Sequence, residues 1–426
     1  MKTGSIVAAA AKVQADLADQ RARWARGFTR RSFLAGSGMV TAAALGSQLV
    51  TTRVAFAAAG ASNGKTLIVV FLRGGLDGLA TVVPANDNDY NRARPQIGIP
   101  SGSLLPLDSR FGLHPAASAL HKYWLNGNLG IVHAVASPFA THSHFQSQDV
   151  VERGIGTGSM TSGWLERAVE LSGPGTTFRA VCEGFTPARS LAGADGVVTM
   201  VGLDSLQLLD QTPALTDALS KLYTGVNDPL GEHGLQTLSV LDDAEELQKT
   251  DPRPGPGASY PAGDFSLAMA DLARMIKAGA GVKAATVDVG GWDMHTLAGG
   301  VVGTMADQLR AMSLTVAAFA TDLGSKLADV TVVLMSEFGR RVAENGSGGT
   351  DHGRGGVMFL LGGGVDGKKI HGAWPGLSEP ALQGGDLAAA NDYRDVLGEA
   401  AQATLGLGSI STVFPGFTYR PLGVMR

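Results

Sequence analysis

Apolar positions along this chain come in two patterns. Thr66–Leu72, Leu129–Val135, Val330–Met335 and Val357–Leu361 are apolar at nearly every position, as in Leu67-Ile68-Val69-Val70-Phe71. Runs of this length read as strands covered on both faces. Val282–Val289 reads as a further strand. Between these runs the spacing turns helical. Leu267, Leu272, Met275 and Ile276 fall on a helix that Asp264 is expected to cap and Gly279 to stop. A second helix is expected from about Thr304 to Leu323, ending at Gly324, and a third through Gln146 and Val151. Helices alternating with buried strands require right-handed crossovers, which gives an α/β fold with a mostly parallel sheet sandwiched by helices. From about 173 to 262 the apolar pieces are short and scattered. That span holds an acidic patch (Asp242, Asp243, Glu245, Glu246), closes in the proline-rich Asp251–Pro261, and is expected to form a less regular insertion. No internal repeat is present.

The first ~57 residues carry a different signal. Arg21, Arg23 and Arg26 lead into Thr29-Arg30-Arg31-Ser32-Phe33-Leu34, which resembles the twin-arginine export consensus. No charged side chain follows from Ser32 to Thr52, and Ala55-Phe56-Ala57 offers the small-x-small pattern of a cleavage site. A charge-free stretch of about 20 residues could also span a bilayer. Gly36, Ser37, Gly38, Thr41, Gly46, Ser47 and Gln48 dilute its hydrophobicity, so cleavage is expected over anchoring. The expected location is periplasmic or extracellular, with membrane contact only during export or through an uncleaved signal. The twin-arginine route carries folded chains, often assembled around a metal or cofactor, so the resemblance favours a metalloprotein.

Composition narrows the classes that remain. Removing the leader leaves enough chain for one large α/β domain or two smaller ones. The 59 glycines imply tight turns and close backbone approaches, not disorder, because 44% of residues are apolar. A net charge of −4 without a basic block excludes nucleic acid as an expected partner. Cys182 is the single cysteine, which rules out an intramolecular disulfide and a cysteine-based metal site and leaves a buried small hydrophobe.

The chemistry-bearing residues follow the strands. Asp77 follows the first, Asp293 and His295 follow Val282–Val289, and Glu337 follows Val330–Met335. Open parallel sheets bind ligands outside the carboxyl ends of their strands, so these groups should share one edge. Asp351 and His352, bracketed by glycines, could fold over the same edge. Carboxylates and imidazoles without thiolate suit Zn²⁺ or a harder divalent ion. Plainer roles exist for each: Asp77 as a turn cap, Asp293-x-His295 as a surface turn, and Glu337 as the partner of Arg340 or Arg341. Thr141 and Ser143 precede a helix N-terminus, where a hydroxyl can act as a nucleophile or merely as a cap. His142 and His144 flank Ser143 as ligands, bases or neither.

Five blocks in order resemble one bacterial family: Leu72-Arg73-Gly74-Gly75-Leu76-Asp77-Gly78-Leu79, Ser143-His144-Phe145, Gly290-Gly291-Trp292-Asp293-Met294-His295, Ser336-Glu337-Phe338-Gly339-Arg340 and Gly349-Thr350-Asp351-His352-Gly353. This is the twin-arginine-exported domain-of-unknown-function family numbered fifteen hundred and one, and the resemblance runs from about Thr66 to Gly423. The family is similar to the alkaline phosphatase and sulfatase superfamily, whose members share a metal-bearing α/β sandwich. The resemblance implies a metal site drawn from Asp77, Asp293, His295, Glu337 and His352, to which the glycine-bracketed loop adds Asp351, holding one or two divalent ions, with Zn as a candidate. Phe338 stands where many relatives place a histidine, and Met294 where threonine is commoner. Cys182-Glu-Gly-Phe lacks the sulfatase cysteine pattern, which speaks against a formylglycine enzyme. The function expected is hydrolysis of small phosphate or sulfate esters, with Ser143, Thr141 or water attacking and Arg73 or Arg340 holding the anion. The alternative is a non-catalytic exported protein that keeps the fold for binding or cell-surface assembly.

Overall fold

Thr66–Leu72 is buried at all seven positions and forms the first strand, β1, of a nine-stranded sheet. Alternate side chains of a strand point to opposite faces, so one buried run feeds two cores. Ile68, Val70 and Leu72 join one core, and Leu67, Val69 and Phe71 join the other. Each such side chain contributes about 1.5–3 kcal/mol when fully buried. The computed structural model describes residues 64–426 except 157–159, 195, 208–212, 225 and 227–228, so the expected leader lies outside the described residues.

The chain continues through α1 (Gly78–Thr81), β2 (Val82–Pro84), α2 (Asn88–Ala93), β3 (Leu105–Pro106), β4 (Phe111–Leu113), α3 (Ser118–Leu125), β5 (Leu129–Ala136) and α4 (His144–Arg153). Next come α5 (Trp164–Leu171), β6 (Ala180–Glu183), β7 (Val197–Met200), α6 (Pro213–Tyr223), α7 (Pro229–Gln248), α8 (Asp264–Ala278), β8 (Ala284–Val289) and α9 (Thr304–Leu323). The last elements are β9 (Val330–Met335), β10 (Gly356–Gly362), β11 (Ile370–His371), β12 (Asn391–Asp392) and α10 (Tyr393–Leu405). The large sheet has the order β11-β5-β10-β9-β1-β8-β6-β7, with β12 also paired to β5. Only β10 runs against the other strands of this sheet, antiparallel to both β9 and β5. Helices α3, α8 and α9 supply Trp124, Leu272 and Phe319 to one core, while α5 and α10 supply Trp164 and Leu397 to the other. The observed α/β sandwich is the fold class the apolar pattern implies. Strands β2, β3 and β4 form a small separate sheet.

Two local expectations change. Asp264 is the first residue of α8; the cap position belongs to Gly263, at φ +133°, and makes no side-chain cap. The span 173–262 is not separate from the sheet, because β6 and β7 complete one edge of it and α6 and α7 follow as a helical pair. Four-residue strands are too short to show periodicity against scattered neighbours. Cys182 lies buried in β6. Among the described residues, no helix is long and apolar enough to cross a membrane.

The topology fixes where function can sit. The carboxyl ends of β1, β5, β8 and β9 open on one edge of the sheet. The reversed β10 begins at that same edge, which brings the segment before it, with His352, alongside.

Candidate metal centre

The turn after β1 is the floor of this edge. Gly74 adopts φ +121°, and a Cβ there would lie 2.5 Å from the backbone nitrogen of Asp293. No other residue tolerates both that dihedral and that approach. The amides of Gly74 and Gly75 then point at Glu337, donating to its carboxylate at 3.0–3.3 Å. Ser336 Oγ at 2.9 Å, Gln148 Nε2 at 2.8 Å and His144 Nδ1 at 2.8 Å complete the set. Burial raises the pKa of Glu337, but donation from Gln148, its own backbone amide, His144 and Ser336 outweighs it and holds the carboxyl below its usual range. Glu337 is 2% exposed, with both oxygens engaged by protein donors. It therefore orients His144 instead of binding an ion, and it does not pair with Arg340 or Arg341.

Three imidazoles and one carboxylate converge above this floor. His144 begins α4, with His295 and Asp293 following β8 and His352 preceding β10. His352 Nδ1 faces the carbonyl of His142 at 2.7 Å, His295 Nδ1 faces Asp351 Oδ1 at 3.1 Å, and His144 Nδ1 faces Glu337. Each of those partners only accepts, so each neutral ring carries its proton on Nδ1 and presents a lone pair at Nε2. These lone pairs are aimed at one another. His295 Nε2 is 2.9 Å from His352 Nε2, and the two lie 3.0 and 3.1 Å from Asp293 Oδ1. His144 Nε2 is buried without a hydrogen-bond partner, 3.4 Å from Asp293 Oδ2. Acceptors facing acceptors repel unless a cation lies between them. Ligands around a tetrahedral Zn²⁺ sit roughly 3.3 Å apart at bond lengths of 2.0–2.1 Å, close to the spacings here. The ligand atoms of His144, Asp293 and His352 all lie within 4.8 Å of one another. These three could hold one divalent cation, with Glu337 behind His144 as an outer contact; His295 lies beside them, against His352 and Asp293.

Burial works against ionisation of Asp293, yet the hydrogen bond from Arg340, the contact with His352 and the charge of the Arg340 guanidinium bring its pKa down to about 2. Asp351 is held low by Asn345 and His295. Burial lowers the His352 pKa, only partly offset by its bond to the His142 carbonyl and the nearby Asp293 carboxylate, which favours the neutral ring that a metal needs.

The remaining candidates are placed elsewhere. Asp77 is buried beneath the site, where Oδ1 caps α1 through the Ala80 amide and Oδ2 takes Arg94 at 2.7 Å. It is not a ligand of the cluster: the strand-end rule places a loop on the edge but not a side chain within it. Arg340 is buried, donating to the carbonyls of Gly75, Gly74, Trp292 and Thr350 and to Asp293 Oδ1 at 2.6 Å. With its donors so engaged it holds the loops together and has no reach to a substrate, contrary to the catalytic role expected of it. Arg73 is likewise held by Glu152 and Asp288. The Thr141 hydroxyl donates to Gln146 Oε1 and accepts the Ser143 amide, serving the turn and not an attack. Ser143 caps α4 in position only; its hydroxyl makes no hydrogen bond among the described residues. Phe338 packs against His144 and His352, each at 4.9 Å between ring centres. His144 was only one of several options in the sequence; its signal was Gln148 four residues on, which places both side chains on one helical face toward Glu337.

Comparisons with known proteins come to little beyond this. The family model described as "Protein of unknown function (DUF1501)" matches residues 159–390, just over half of the chain. No curated protein matches it. Among solved structures, the chain is similar to the C-terminal periplasmic domain of EcEptC from Escherichia coli in complex with Zn, with 12% identity, 73% of this chain and 77% of that chain covered, and a TM-score of 0.31. The PsFucS1 sulfatase from Pseudoalteromonas sp. aligns with 11% identity over 85% of this chain and 73% of that one, at a TM-score of 0.33. For the lipoteichoic acid synthase LtaP from Listeria monocytogenes the values are 11% identity, 72% and 69% coverage, and 0.27.

Proposed function

Because the chain belongs to DUF1501, a family described only as of unknown function, its activity must be read from the site, and we propose that it is an exported, metal-dependent hydrolase of phosphate or sulfate esters. One observation carries the reading: His144, Asp293 and His352 bring ligand atoms within 4.8 Å of one another at the open edge of the sheet, with His295 alongside. Structural zinc sites are closed, whereas here the side chains of Asp293 and His295 are 47% and 41% exposed, which leaves room for a substrate. Asp293, His144, His295 and His352 would hold the ion, Zn²⁺ being the best match to nitrogen and oxygen donors. The ion would supply Lewis-acid polarisation of the ester. Glu337 and Asp351 orient the ligand rings, and Arg340 fixes Asp293. Ser143, adjacent to His144 and with an unengaged hydroxyl, is the nucleophile we favour over Thr141. In the net reaction, the ester's bond to its alcohol breaks, water supplies the oxygen of the new bond, and its proton leaves with the alcohol.

Metal content is the first test. The protein, exported natively and purified without chelator, should contain about one equivalent of a divalent metal, lost in Asp293→Ala and His352→Ala together with turnover of chromogenic esters. Unchanged turnover in both variants would refute the reading. The locked state of Arg73 and Arg340 favours a second reading, a non-catalytic binding protein with a structural ion. Metal retention with no turnover across the ester panel would support it.

A further inference from the structure

His142 stands two residues before His144, yet its imidazole is not among the convergent ligand atoms. Its Nε2 faces Asp386 Oδ2 at 3.0 Å. A carboxylate only accepts, so the neutral ring carries its proton on Nε2 and commits that nitrogen to Asp386 instead of a metal. The main chain of the same residue serves the centre. Its carbonyl is the acceptor, at 2.7 Å, that keeps the proton of His352 on Nδ1. One residue in the loop between β5 and α4 is thus held through its side chain and holds a ligand ring through its backbone.

Asp386 lies 244 residues further on and is 3% exposed. It closes a short turn with Gln383, but the backbone does this: the Gln383 amide donates to Asp386 O at 3.0 Å, and the Asp386 amide to Gln383 O at 3.2 Å. The carboxylate is not needed for the turn. Nor is it fully satisfied. Oδ1 is buried without a hydrogen-bond partner among the described residues, and Arg341 Nε stands 3.9 Å away. A buried carboxylate with an idle oxygen costs stability, so its bond to His142 is where a use for it lies.

The contacts form a closed circuit. Asp386 bridges to Arg341, Arg340 bridges to His352, and the Val342 amide donates to Gly385 O at 3.3 Å. From Asp386 the circuit runs through the His142 side chain to its carbonyl, on to His352, across to Arg340 and back through Arg341. Resting on the metal centre of the reading above, and not on its ester chemistry, we propose that Asp386 and His142 are positioning residues. They clamp the loop between β5 and α4 so that the His142 carbonyl orients His352 and the start of α4 delivers His144.

The test uses the exported full chain, stripped of metal and titrated with Co²⁺ against a competing chelator. The variants are His142→Ala, Asp386→Leu, Asp386→Asn and the double variant of the first two. His142→Ala removes a half-exposed side chain from outside the cluster, yet it should weaken Co²⁺ binding about tenfold, the lower end for outer contacts. Asp386→Leu should match it, and Asp386→Asn, which keeps an acceptor for Nε2, should lie nearer the parent. The double variant should lose no more than either single one, because each breaks the same link. At saturating Co²⁺ the visible bands should shift alike in His142→Ala and Asp386→Leu, which a loss of stability alone would not cause. Parent affinity and spectrum in His142→Ala would overturn the proposal, and this variant decides alone if Asp386→Leu does not fold. Losses that add in the double variant, or an asparagine variant no better than the leucine one, would also overturn it. All three outcomes leave the hydrolase reading standing. Weakened binding in both single variants of a chain that turns over no ester would support the clamp and count against the hydrolase instead. A parent protein that takes up no cobalt would overturn both.

Discussion

Glu337, just after β9, and Glu183, ending β6, are both almost completely buried at the same edge of the sheet, and they ionise in opposite senses. Glu337 accepts from two backbone amides and three side chains, and its pKa falls. Among the described residues, Glu183 accepts only the Gly202 amide, and its Oε1 is buried without a partner. Burial, with a lesser contribution from Asp271, raises its pKa to about 8 despite that one bond. Depth in the fold therefore does not decide charge; the number of donors that meet the carboxylate does. The metal-facing half of the edge is built around a stable anion, and the β6–β7 half around a neutral acid.

Removing the anion should have the largest effect. Glu337→Ala orphans two amides and frees His144, at roughly 1–3 kcal/mol for each buried donor left unpaired. Metal affinity should fall about 10–100-fold, as measured by competition with a chelator. Glu337→Gln, which keeps an acceptor on the amides but not the charge, should fall between this variant and the parent. Equal affinity in all three would mean that Glu337 does not support the site.

The converse substitution tests the other half. A carboxyl with a raised folded pKa contributes its full stability below its ordinary value near 4.5 and loses it as pH rises through about 8. Glu183→Gln cannot ionise, so its melting temperature should exceed the parent's by roughly 2–4 °C at pH 9, a gap that closes by pH 5. A gap independent of pH would show that Glu183 is charged throughout.

The smallest effect belongs to Asp293, half exposed and held at about 2. A depressed pKa stabilises above the ordinary carboxyl range and is lost as pH falls toward 2. Metal-free parent and Asp293→Asn should converge in melting temperature between pH 4 and pH 2. Their divergence on acidification would contradict the low pKa.

The sheet was readable because its strands are buried on both faces: Thr66–Leu72 and Val330–Met335 match β1 and β9 residue for residue. Strands β6 and β7 were not, because four residues carry too little pattern. Strand-end reasoning found the edge and the loops of the centre, including Asp293, His295 and His352. It could not give side-chain direction. Asp77 turns down to Arg94, and Arg340 turns inward to carbonyls. His144 is not singled out by sequence because a lone histidine before a helix looks like any other until its partners are known.

The reversal of β10 has a kinetic consequence. A parallel continuation from β9 would need a crossover, whereas the turnback delivers Glu337, Arg340 and His352 from one short stretch of chain. That half of the centre closes a small loop and can form at low entropic cost. His144 and Asp293 must arrive from distant parts of the sequence. The centre is therefore expected to assemble in two steps, a local one that shapes a half-cup and a late one that seats the remaining ligands, with an ion favouring the second.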